Sequence, residues 1–247
     1  MADGTRSGAG RGQGLSPRAR ACATLFVSLL GLAATMSAPA AEPAVVIPAP
    51  ALDPAPPAAS GLQTIVLAGG CFWGPQLVYA HVKGVTQALA GYAGGQKAAA
   101  GDTESLEDAE SLQVTFDPRQ ISLGKILQIY FSVAHNPTEL NYQGPDVGAQ
   151  YRSEIFYAND GQKRVAGAYI TQLNTAHVFA KAIVTKVEAL PRFNPAEGSD
   201  QDYAVLHPDD AYVVSNDLPM VANLKRLFPD YYREAPITVL ASNKPAK

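Results

Sequence analysis

Cysteine and tryptophan are scarce in this sequence. Its 247 residues include two cysteines, Cys22 and Cys71, and one tryptophan, Trp73. The cysteines and the four histidines show no paired spacing typical of a metal site. Nineteen Lys and Arg residues oppose 22 Asp and Glu residues, for a formal net charge of −3, and no basic tract occurs. This balance argues against binding to nucleic acid. Internal repeats are also absent.

The first 40 residues have the pattern of a secretory signal peptide. Four arginines between residues 6 and 20 precede a short apolar run at 23–36, and the sequence SAPAAE follows it. We expect cleavage after Ala40, and therefore export, with the periplasm as the expected compartment. A membrane anchor is the alternative, but the run is short for a bilayer span. Cleavage would leave Cys71 as the single cysteine and exclude an internal disulfide.

Composition divides the rest of the chain into three parts. Residues 41–61 are rich in Pro and Ala and nearly uncharged, which predicts an extended linker without a core of its own. Residues 62–234 contain the periodic apolar patterns of a folded domain, and 235–247 form a C-terminal tail. With one such domain, and no sign of an oligomer in its composition, we expect a monomer.

Apolar periodicity predicts the order β-α-β-β-α-β at the start of the domain. The predicted strands are 62–70, 85–95, 111–118, 151–159 and 182–190, and the predicted helices are 74–85, 122–135, 161–176 and 218–232. Ser122 is a candidate cap for the second helix. This order predicts an α+β fold, a two-layer α/β sandwich with a ferredoxin-like core and a long irregular C-terminal segment. The polar, Gly- and Pro-bearing stretch 136–150 is predicted to be a long loop, and such loops are usually functional or disordered.

Cys71 stands in the stretch AGGCFWGPQ (68–76), between a predicted strand and a predicted helix. An unpaired cysteine is most often a small buried apolar side chain. The start of a helix, however, offers unpaired N–H groups and a positive dipole end, which would stabilise a thiolate. Gly70 and Gly74 would allow a tight turn and the close approach of a ligand. Phe72 and Trp73 would pack either in the core or around a small apolar pocket.

A thiolate that attacks a centre with an oxygen leaving group needs an acid to protonate that oxygen. The histidines are candidates for a hydrolytic Cys–His pair, although none lies in a recognisable hydrolase motif: His81, His135, His177 and His207. A carboxyl group kept protonated by burial, or a tyrosine, would serve equally well. The candidates of this kind are Glu110, Asp146 and Tyr151.

Four stretches together resemble the A type of peptide methionine sulfoxide reductase. They are GGCFWGPQ (69–76), GYAGG (91–95), AESLQVTFDP (109–118) and AHNPTELNYQGPDVGAQYRSEIFY (134–157). The first and the last are quite specific, and all occur in the order that the family has. The resemblance runs from about Thr64 to about Tyr232, which is nearly the whole mature domain.

The resemblance implies that Cys71 attacks the sulfur of a methionine S-sulfoxide, free or in a protein. Glu110 would protonate the sulfoxide oxygen. Methionine would leave, and a sulfenic acid would remain on Cys71, which thiols must reduce. Neither a metal nor an organic cofactor is implied.

The resemblance also implies the residues that bind the substrate. Tyr151, and Asp146 through a water molecule, would hold the sulfoxide oxygen. Phe72 and Trp73 would enclose the methyl group of the substrate.

The sequence departs from the family's pattern in four places. The stretch 96–108 is short and lacks the family's tyrosine and its Thr-Gly-His element. Gln76 stands where the family usually has an acidic residue, and Ser199 and Asp200 stand where relatives commonly have Tyr-His. No resolving cysteine follows Cys71, so an external thiol would have to serve, such as glutathione or a thioredoxin-like protein.

These observations leave three hypotheses. The first is an exported reductase that repairs oxidised methionines. The second is a degenerate member of the family that binds methionine-sulfoxide peptides without turnover, which the shortened stretch favours. The third, a Cys–His hydrolase, has no motif in its support.

Overall fold

The computed structural model describes residues 44–55, 61–95 and 108–239, all of which belong to the unit Ser37–Lys247. The predicted signal peptide lies outside the described residues. So do the stretch 96–107 and the end of the predicted tail, from residue 240. None of the helices in the described ranges has the length and apolar character needed to cross a membrane.

The domain is built on a six-stranded sheet with the order β7-β6-β1-β3-β2-β8. All neighbouring strands are antiparallel except β6 and β7, which are parallel. A short hairpin, β4 and β5, forms a separate two-stranded sheet. The strands are β1 (Gln63–Ala68), β2 (Val85–Ala93), β3 (Ala109–Phe116), β4 (Tyr142–Gln143), β5 (Asp146–Val147), β6 (Glu154–Tyr157), β7 (Lys186–Ala189) and β8 (Phe193–Pro195).

In the residues that the structure describes, five α-helices accompany the sheet. They are α1 (Trp73–Ala80), α2 (Leu123–Ile129), α3 (Asp160–Thr175), α4 (Tyr203–Leu206) and α5 (Leu218–Leu227). Ser122 caps α2, as predicted, since its side chain accepts a hydrogen bond from the N–H of Lys125 at 3.1 Å. A π-helical turn, Tyr130–Ala134, continues α2.

The predicted fold class is confirmed by the sheet order. The strands β6-β1-β3-β2 are neighbours, and α1 and α2 make the two crossovers of the β-α-β-β-α-β order, which is the split βαβ arrangement of a ferredoxin-like core. Three strands are several residues shorter than predicted: β1 has six residues, and β6 and β7 have four each. The alternation predicted for β3 is observed. In β3, Leu112, Val114 and Phe116 all join the main core cluster with the helices. Glu110 continues this alternation. It lies near the end of β3 that is closest to the start of α1.

The predicted linker 41–61 packs against the domain over the part that the structure describes. Its residues 44–55, here called the strap, are extended, but Ile47 is only 5% exposed and belongs to the main core. Polar side chains of α2 and α3 bond to the strap's backbone, through Gln128 to Ile47 at 2.9 Å and Tyr169 to Pro48 at 2.7 Å. The expectation of a linker without a core was wrong for these residues, because Ile47 belongs to the main core and Val45 packs against it.

The C-terminal segment is long and largely irregular, as predicted, but it contains β8, α4 and α5. The predicted tail is also attached to the domain where the structure describes it. The N–H of Ile237 donates to the carbonyl of Ala80 at 3.0 Å, and Val239 is buried. The boundary predicted at residue 234 therefore has no counterpart in the packing.

Candidate active site

Cys71 lies in the turn between β1 and α1, two residues before the helix begins. Gly70 has a φ of +96°, a left-handed conformation that glycine adopts without strain. A Cβ atom at Gly69 would lie 2.8 Å from Cγ of His135. Both glycines are therefore needed for the turn that brings the thiol to the start of α1. The thiol is free and partly exposed.

The pKa of the Cys71 thiol is raised well above its usual value. Burial is the largest cause, and the negative charge of Glu110 is the second. The backbone N–H of Trp73 bonds to the sulfur and lowers the pKa, as expected at a helix start, while Asp217 and Asp146 raise it further. The prediction of a stabilised thiolate is therefore wrong, because desolvation and three carboxylates outweigh one N–H group.

The Glu110 carboxyl group lies beside the start of α1. Glu110 pairs across the sheet with Tyr92 of β2, and its Oε2 accepts a hydrogen bond from the N–H of Phe72 at 3.2 Å. Because Phe72 follows Cys71 directly, this bond keeps the carboxyl group close to the sulfur. A carboxyl group and a thiol, the predicted proton donor and the predicted nucleophile, thus lie close together.

Asp146 comes from the predicted long loop, which contains β4 and β5. Tyr151, predicted as the first residue of the next strand, instead ends a 3₁₀ turn at Ala149–Tyr151. Burial raises the pKa of Tyr151, and the charges of Glu110, Asp146 and Cys71 raise it further. The four side chains predicted to be catalytic therefore lie within electrostatic reach of one another. Their individual roles stay predictions.

Phe72 and Trp73 have different surroundings. Phe72 is buried and makes an edge-to-face contact with Tyr92, with ring centroids 5.6 Å apart. Trp73 is only partly buried, and its ring stacks on Tyr203 with centroids 3.8 Å apart and meets the edge of Tyr212 at 5.9 Å. Phe72 thus packs mainly in the core, and the aromatic group around Trp73 supplies a wall beside the thiol.

Two residues of this site, Tyr212 and Asp217, were not predicted from the sequence. The hydroxyl of Tyr212 donates a hydrogen bond to Asp146, and burial together with the charge of Cys71 raises the pKa of this tyrosine. Asp217 is 1% exposed, and burial raises its pKa to about 7, with Asp146 and Asp210 as further causes. Both residues come from the segment YVVSND, which has no motif or periodicity that would have identified them.

A cavity of about 390 Å³ opens beside Cys71. We call it the acidic cavity, because three carboxyl side chains line it and none of the described residues that line it is a Lys or an Arg. Its lining comes from the strap, the turn before α1, the π-helical turn after α2 with the residues that follow it, the β4–β5 hairpin, the segment after α3 and the C-terminal segment: 44–45, 69–71, 131–133, 135–139, 143–146, 178–180, 212, 216–217 and 220.

His135 lines the same cavity, but both of its ring nitrogens are occupied. Nδ1 lies 3.0 Å from the carbonyl of Tyr130, and Nε2 lies 2.7 Å from Oγ of Ser153. Burial lowers the pKa of His135 to about 3, so the ring is neutral at physiological pH. This histidine holds the glycine turn in place and does not pair with the thiol.

The other three histidines lie in different parts of the fold. Nδ1 of His81 lies 2.8 Å from the carbonyl of Arg233. His207 packs on Tyr203 with ring centroids 4.5 Å apart, and His177 follows the end of α3. The hypothesis of a Cys–His hydrolase gains no support from these positions.

The departures from the family's pattern are accommodated where the structure describes them. Gln76 is buried, donates to the carbonyl of Ala88 at 3.0 Å, and accepts from the N–H of Asp202 at 2.9 Å. A carboxylate could not make the first of these bonds. Ser199 and Asp200 form part of the turn before Asp202. The shortened stretch lies outside the described residues, except for its last residue, Asp108. Among the described residues, no group of three or more acidic, His or Cys side chains could hold a metal ion.

The chain is similar to known proteins of one family. Residues 63–230 match the family model described as peptide methionine sulfoxide reductase. The peptide methionine sulfoxide reductase MsrA 2 of Mesorhizobium japonicum is 52% identical over 190 residues, which cover 75% of this chain and 97% of the relative. The MsrA 2 of a Synechocystis species is 41% identical over 191 residues, covering 75% of this chain and 89% of the relative.

A solved structure also resembles the chain. The reduced form of Mxr1 from Saccharomyces cerevisiae matches with a TM-score of 0.55 and 29% identity, covering 63% of this chain and 91% of that one. Together with the sequence matches, this likeness places the four stretches recognised in the sequence in one shared fold. The chain belongs to the peptide methionine sulfoxide reductase family.

Proposed function

We propose that the chain reduces methionine (S)-sulfoxide to methionine with Cys71 as the nucleophile and Glu110 as the acid. The observation that carries this proposal is the contact between Glu110 and the N–H of Phe72, which holds a carboxyl group beside the sulfur. Tyr151 and Asp146 approach from the β4–β5 hairpin and the turn that follows it. A nucleophile and several groups able to bind an oxygen thus converge on one point.

The first step needs only the thiol of Cys71, the carboxyl group of Glu110 and the sulfoxide. The sulfur of Cys71 attacks the sulfoxide sulfur, and the proton of the thiol passes through Glu110 to the sulfoxide oxygen. The S–O bond breaks and the oxygen leaves as hydroxide, which attacks the sulfur of Cys71. The bond between the two sulfurs then breaks, methionine leaves with its electron pair, and Cys71 remains as a sulfenic acid, so that the cysteine is oxidised and the substrate is reduced. One thiol then forms a mixed disulfide with Cys71 and releases water, and a second thiol reduces that disulfide.

The raised pKa of Cys71 fits this proton transfer. The negative charge of Glu110 is a main cause of the shift, so a proton on Glu110 lowers the pKa of the thiol. Protonation of the acid and ionisation of the nucleophile therefore favour each other. The proton therefore stays on Cys71 or Glu110 until it is transferred to the sulfoxide oxygen.

The sequence contains no cysteine after Cys71. Reduction of the sulfenic acid is therefore assigned to an external thiol, a thioredoxin-like protein or glutathione. The arginine-rich, apolar N-terminal pattern supports export to an oxidant-exposed compartment such as the periplasm. In that compartment the protein would repair oxidised proteins. It would act as a monomer.

The test is sulfoxide reduction by the full chain, with dithiothreitol and the separate S and R epimers of blocked methionine sulfoxide. We expect turnover of the S epimer only, loss of turnover in Cys71→Ser, and normal turnover in the matched control Cys22→Ser. If a folded protein with a free Cys71 thiol shows no turnover yet binds the S epimer, the hypothesis of a binding protein without activity replaces this one.

A further inference from the structure

We propose that the acidic cavity is a subsite for a cationic group of the substrate, and that Asp217 binds this group. The group is an ammonium or guanidinium carried next to the oxidised methionine. It comes either from a basic neighbouring side chain or from the free α-amino group of an N-terminal methionine sulfoxide. The inference rests on the proposed function, since it concerns the substrate of that same site.

Asp217 is a buried acidic residue, and one of its carboxyl oxygens makes no hydrogen bond to a described residue. Its side chain is 1% exposed and lines the cavity, yet Oδ2 has no hydrogen-bond partner among the described residues. A buried polar atom without a partner is destabilising, and such atoms call for a ligand or another explanation. The carboxyl group lies against the first turn of α1, where a Cβ at Gly74 would come within 2.7 Å of Oδ1. It therefore sits near the nucleophile, on the cavity's side of the helix.

The charges around the cavity select for a cation. Glu139, Asp146 and Asp217 line it, and the single basic residue among the described lining residues is His135, whose pKa is lowered to about 3. A cavity lined by charges of one sign attracts ligands of the opposite sign. The carboxylate of free methionine sulfoxide would be repelled by the same charges.

The walls of the cavity suit the aliphatic part of a lysine or arginine side chain. Val45 of the strap, Val178, Phe179 and Met220 supply apolar surface, and the acids supply the polar end. Long basic side chains bury their methylene stems along such surfaces. A volume of about 390 Å³ lies within the range of roughly 300–1,000 Å³ that ligand sites have.

The position of the cavity leaves the sulfoxide pocket free. Cys71 and Asp146 line the cavity, but Phe72, Trp73, Glu110 and Tyr151 do not. Four of the six residues assigned to the sulfoxide thus lie outside this space, which extends from Cys71 and Asp146 and is available for another part of the same substrate.

The pKa of Asp217 gives the subsite a pH dependence. Burial raises this pKa to about 7, and Asp146 and Asp210 add to the shift, while Tyr212 and the Cys71 thiol are the other titratable groups nearby. A cation binds the ionised carboxylate and not the neutral acid. The preference for cationic substrates should therefore increase as the pH rises through about 7.

The experiment compares matched peptides with the full chain. Blocked tripeptides carry lysine, norleucine or glutamate before the methionine (S)-sulfoxide, and a second set carries them after it. A third set consists of two peptides with methionine sulfoxide at the N-terminus, one with a free amino group and one with an acetylated amino group. The ratio of kcat/KM between a cationic peptide and its neutral counterpart is measured for the wild type and for Asp217→Asn.

We expect a ratio of at least about tenfold in one of the three sets, the size of one charge-assisted hydrogen bond, and we expect it mainly in KM. The set that shows it identifies the source of the cation. The ratio should fall towards one in Asp217→Asn, at low pH and at high salt. The last two conditions apply to the wild type, so the test stands even where the variant fails to fold.

Two results would overturn the inference. One is equal turnover of cationic and neutral peptides by the wild type. The other is a preference for cations that persists in a folded Asp217→Asn protein. If no peptide is reduced at all, the proposed function itself fails, and that outcome is distinct from both.

Discussion

The Arg192 guanidinium group donates two hydrogen bonds to the Asp108 carboxylate, at 2.6 and 2.8 Å from one nitrogen. Asp108 also accepts the N–H of Gly95 at 2.7 Å, and Nε of Arg192 reaches the carbonyl of Gly95 at 3.3 Å. Gly95 and Asp108 flank the stretch 96–107, and Asp108 stands two residues before Glu110. The pair therefore joins the two ends of the shortened stretch and fixes the strand that carries the acid.

The first prediction is that Arg192→Met lowers both stability and catalysis. The Asp108 side chain is fully buried, so removal of its partner should cost about 3 kcal/mol of unfolding free energy. The sulfoxide reductase kcat should fall because Glu110 is less well held. Denaturant unfolding and steady-state kinetics measure the two effects. Arg119→Met is the matched control, since Arg119 is 65% exposed and its ion pair with Asp117 at the surface should contribute little to stability.

A double-mutant cycle separates positioning from simple loss of folding. In a Glu110→Gln background, Arg192→Met should still reduce stability but should cause no further loss of kcat. An equal loss of kcat in both backgrounds would show that Arg192 does not act through Glu110. Arg192→Lys should restore part of the activity, as its ammonium keeps the charge without the fork of the guanidinium.

The second prediction concerns the glycine turn. A methyl group in Gly69→Ala would lie 2.8 Å from Cγ of His135, a buried ring whose two nitrogens are bonded. Such overpacking typically costs about 1–3 kcal/mol. We expect a lower melting temperature together with slower sulfoxide reduction, because the turn that carries Cys71 must shift. Differential scanning calorimetry and the S-epimer assay measure these changes.

Gly167→Ala is the control for that substitution. Gly167 lies inside α3, and a Cβ there would meet nothing within 4 Å. Alanine should stabilise this helix by up to about 1 kcal/mol without changing activity. If Gly69→Ala behaved like Gly167→Ala, the close approach of His135 would have no energetic consequence.

Much of the fold was accessible from periodicity, because the ferredoxin-like core is made of short elements with clear apolar patterns. The alternation of Leu112, Val114 and Phe116 placed β3, and Ser122 marked the start of α2. The strap was misjudged for a physical reason. Its Pro- and Ala-rich composition has no period, and its binding depends on side chains such as Gln128 and Tyr169 that lie far away in the sequence.

The site was accessible in part for a similar reason. Cys71, Phe72 and Trp73 form one contiguous motif, and the resemblance supplied Glu110, Asp146 and Tyr151. Tyr212 and Asp217 reach the site only through the tertiary path of an irregular segment. Nor could the sequence give the net direction of the Cys71 pKa, because this depends on how burial and neighbouring charges add up in three dimensions.

The third prediction tests the strap with two neighbouring residues. Ile47 is 5% exposed within the main core, whereas Val46 is 75% exposed. Ile47→Ala should reduce the unfolding free energy by about 2–4 kcal/mol, while Val46→Ala should change it by less than about 0.5 kcal/mol. Urea unfolding of the full chain gives both values. Equal effects of the two substitutions would mean that the strap does not contribute to the core.

The fourth prediction is that Glu110→Gln slows sulfoxide reduction and accelerates alkylation of Cys71. Sulfoxide reduction should fall by about 100-fold or more, because the oxygen loses its proton donor. Alkylation of Cys71 by iodoacetamide, measured in a Cys22→Ser background, should become faster at a given pH. The reason is the sign of the interaction: the Glu110 charge raises the pKa of the thiol, so its removal lowers that pKa and increases the thiolate fraction.

The pH profile of alkylation makes this prediction quantitative. In the wild type the rate should still be rising above pH 9, since burial and Glu110 both raise the pKa of Cys71. In Glu110→Gln the midpoint should move to lower pH, and in the control Glu188→Gln, an exposed residue of β7, it should stay in place. A misfolded variant would expose the thiol and abolish reduction too, but it would also lose its cooperative unfolding transition. Slower alkylation in a folded Glu110→Gln protein would contradict the coupling between the acid and the nucleophile on which the proposed proton transfer depends.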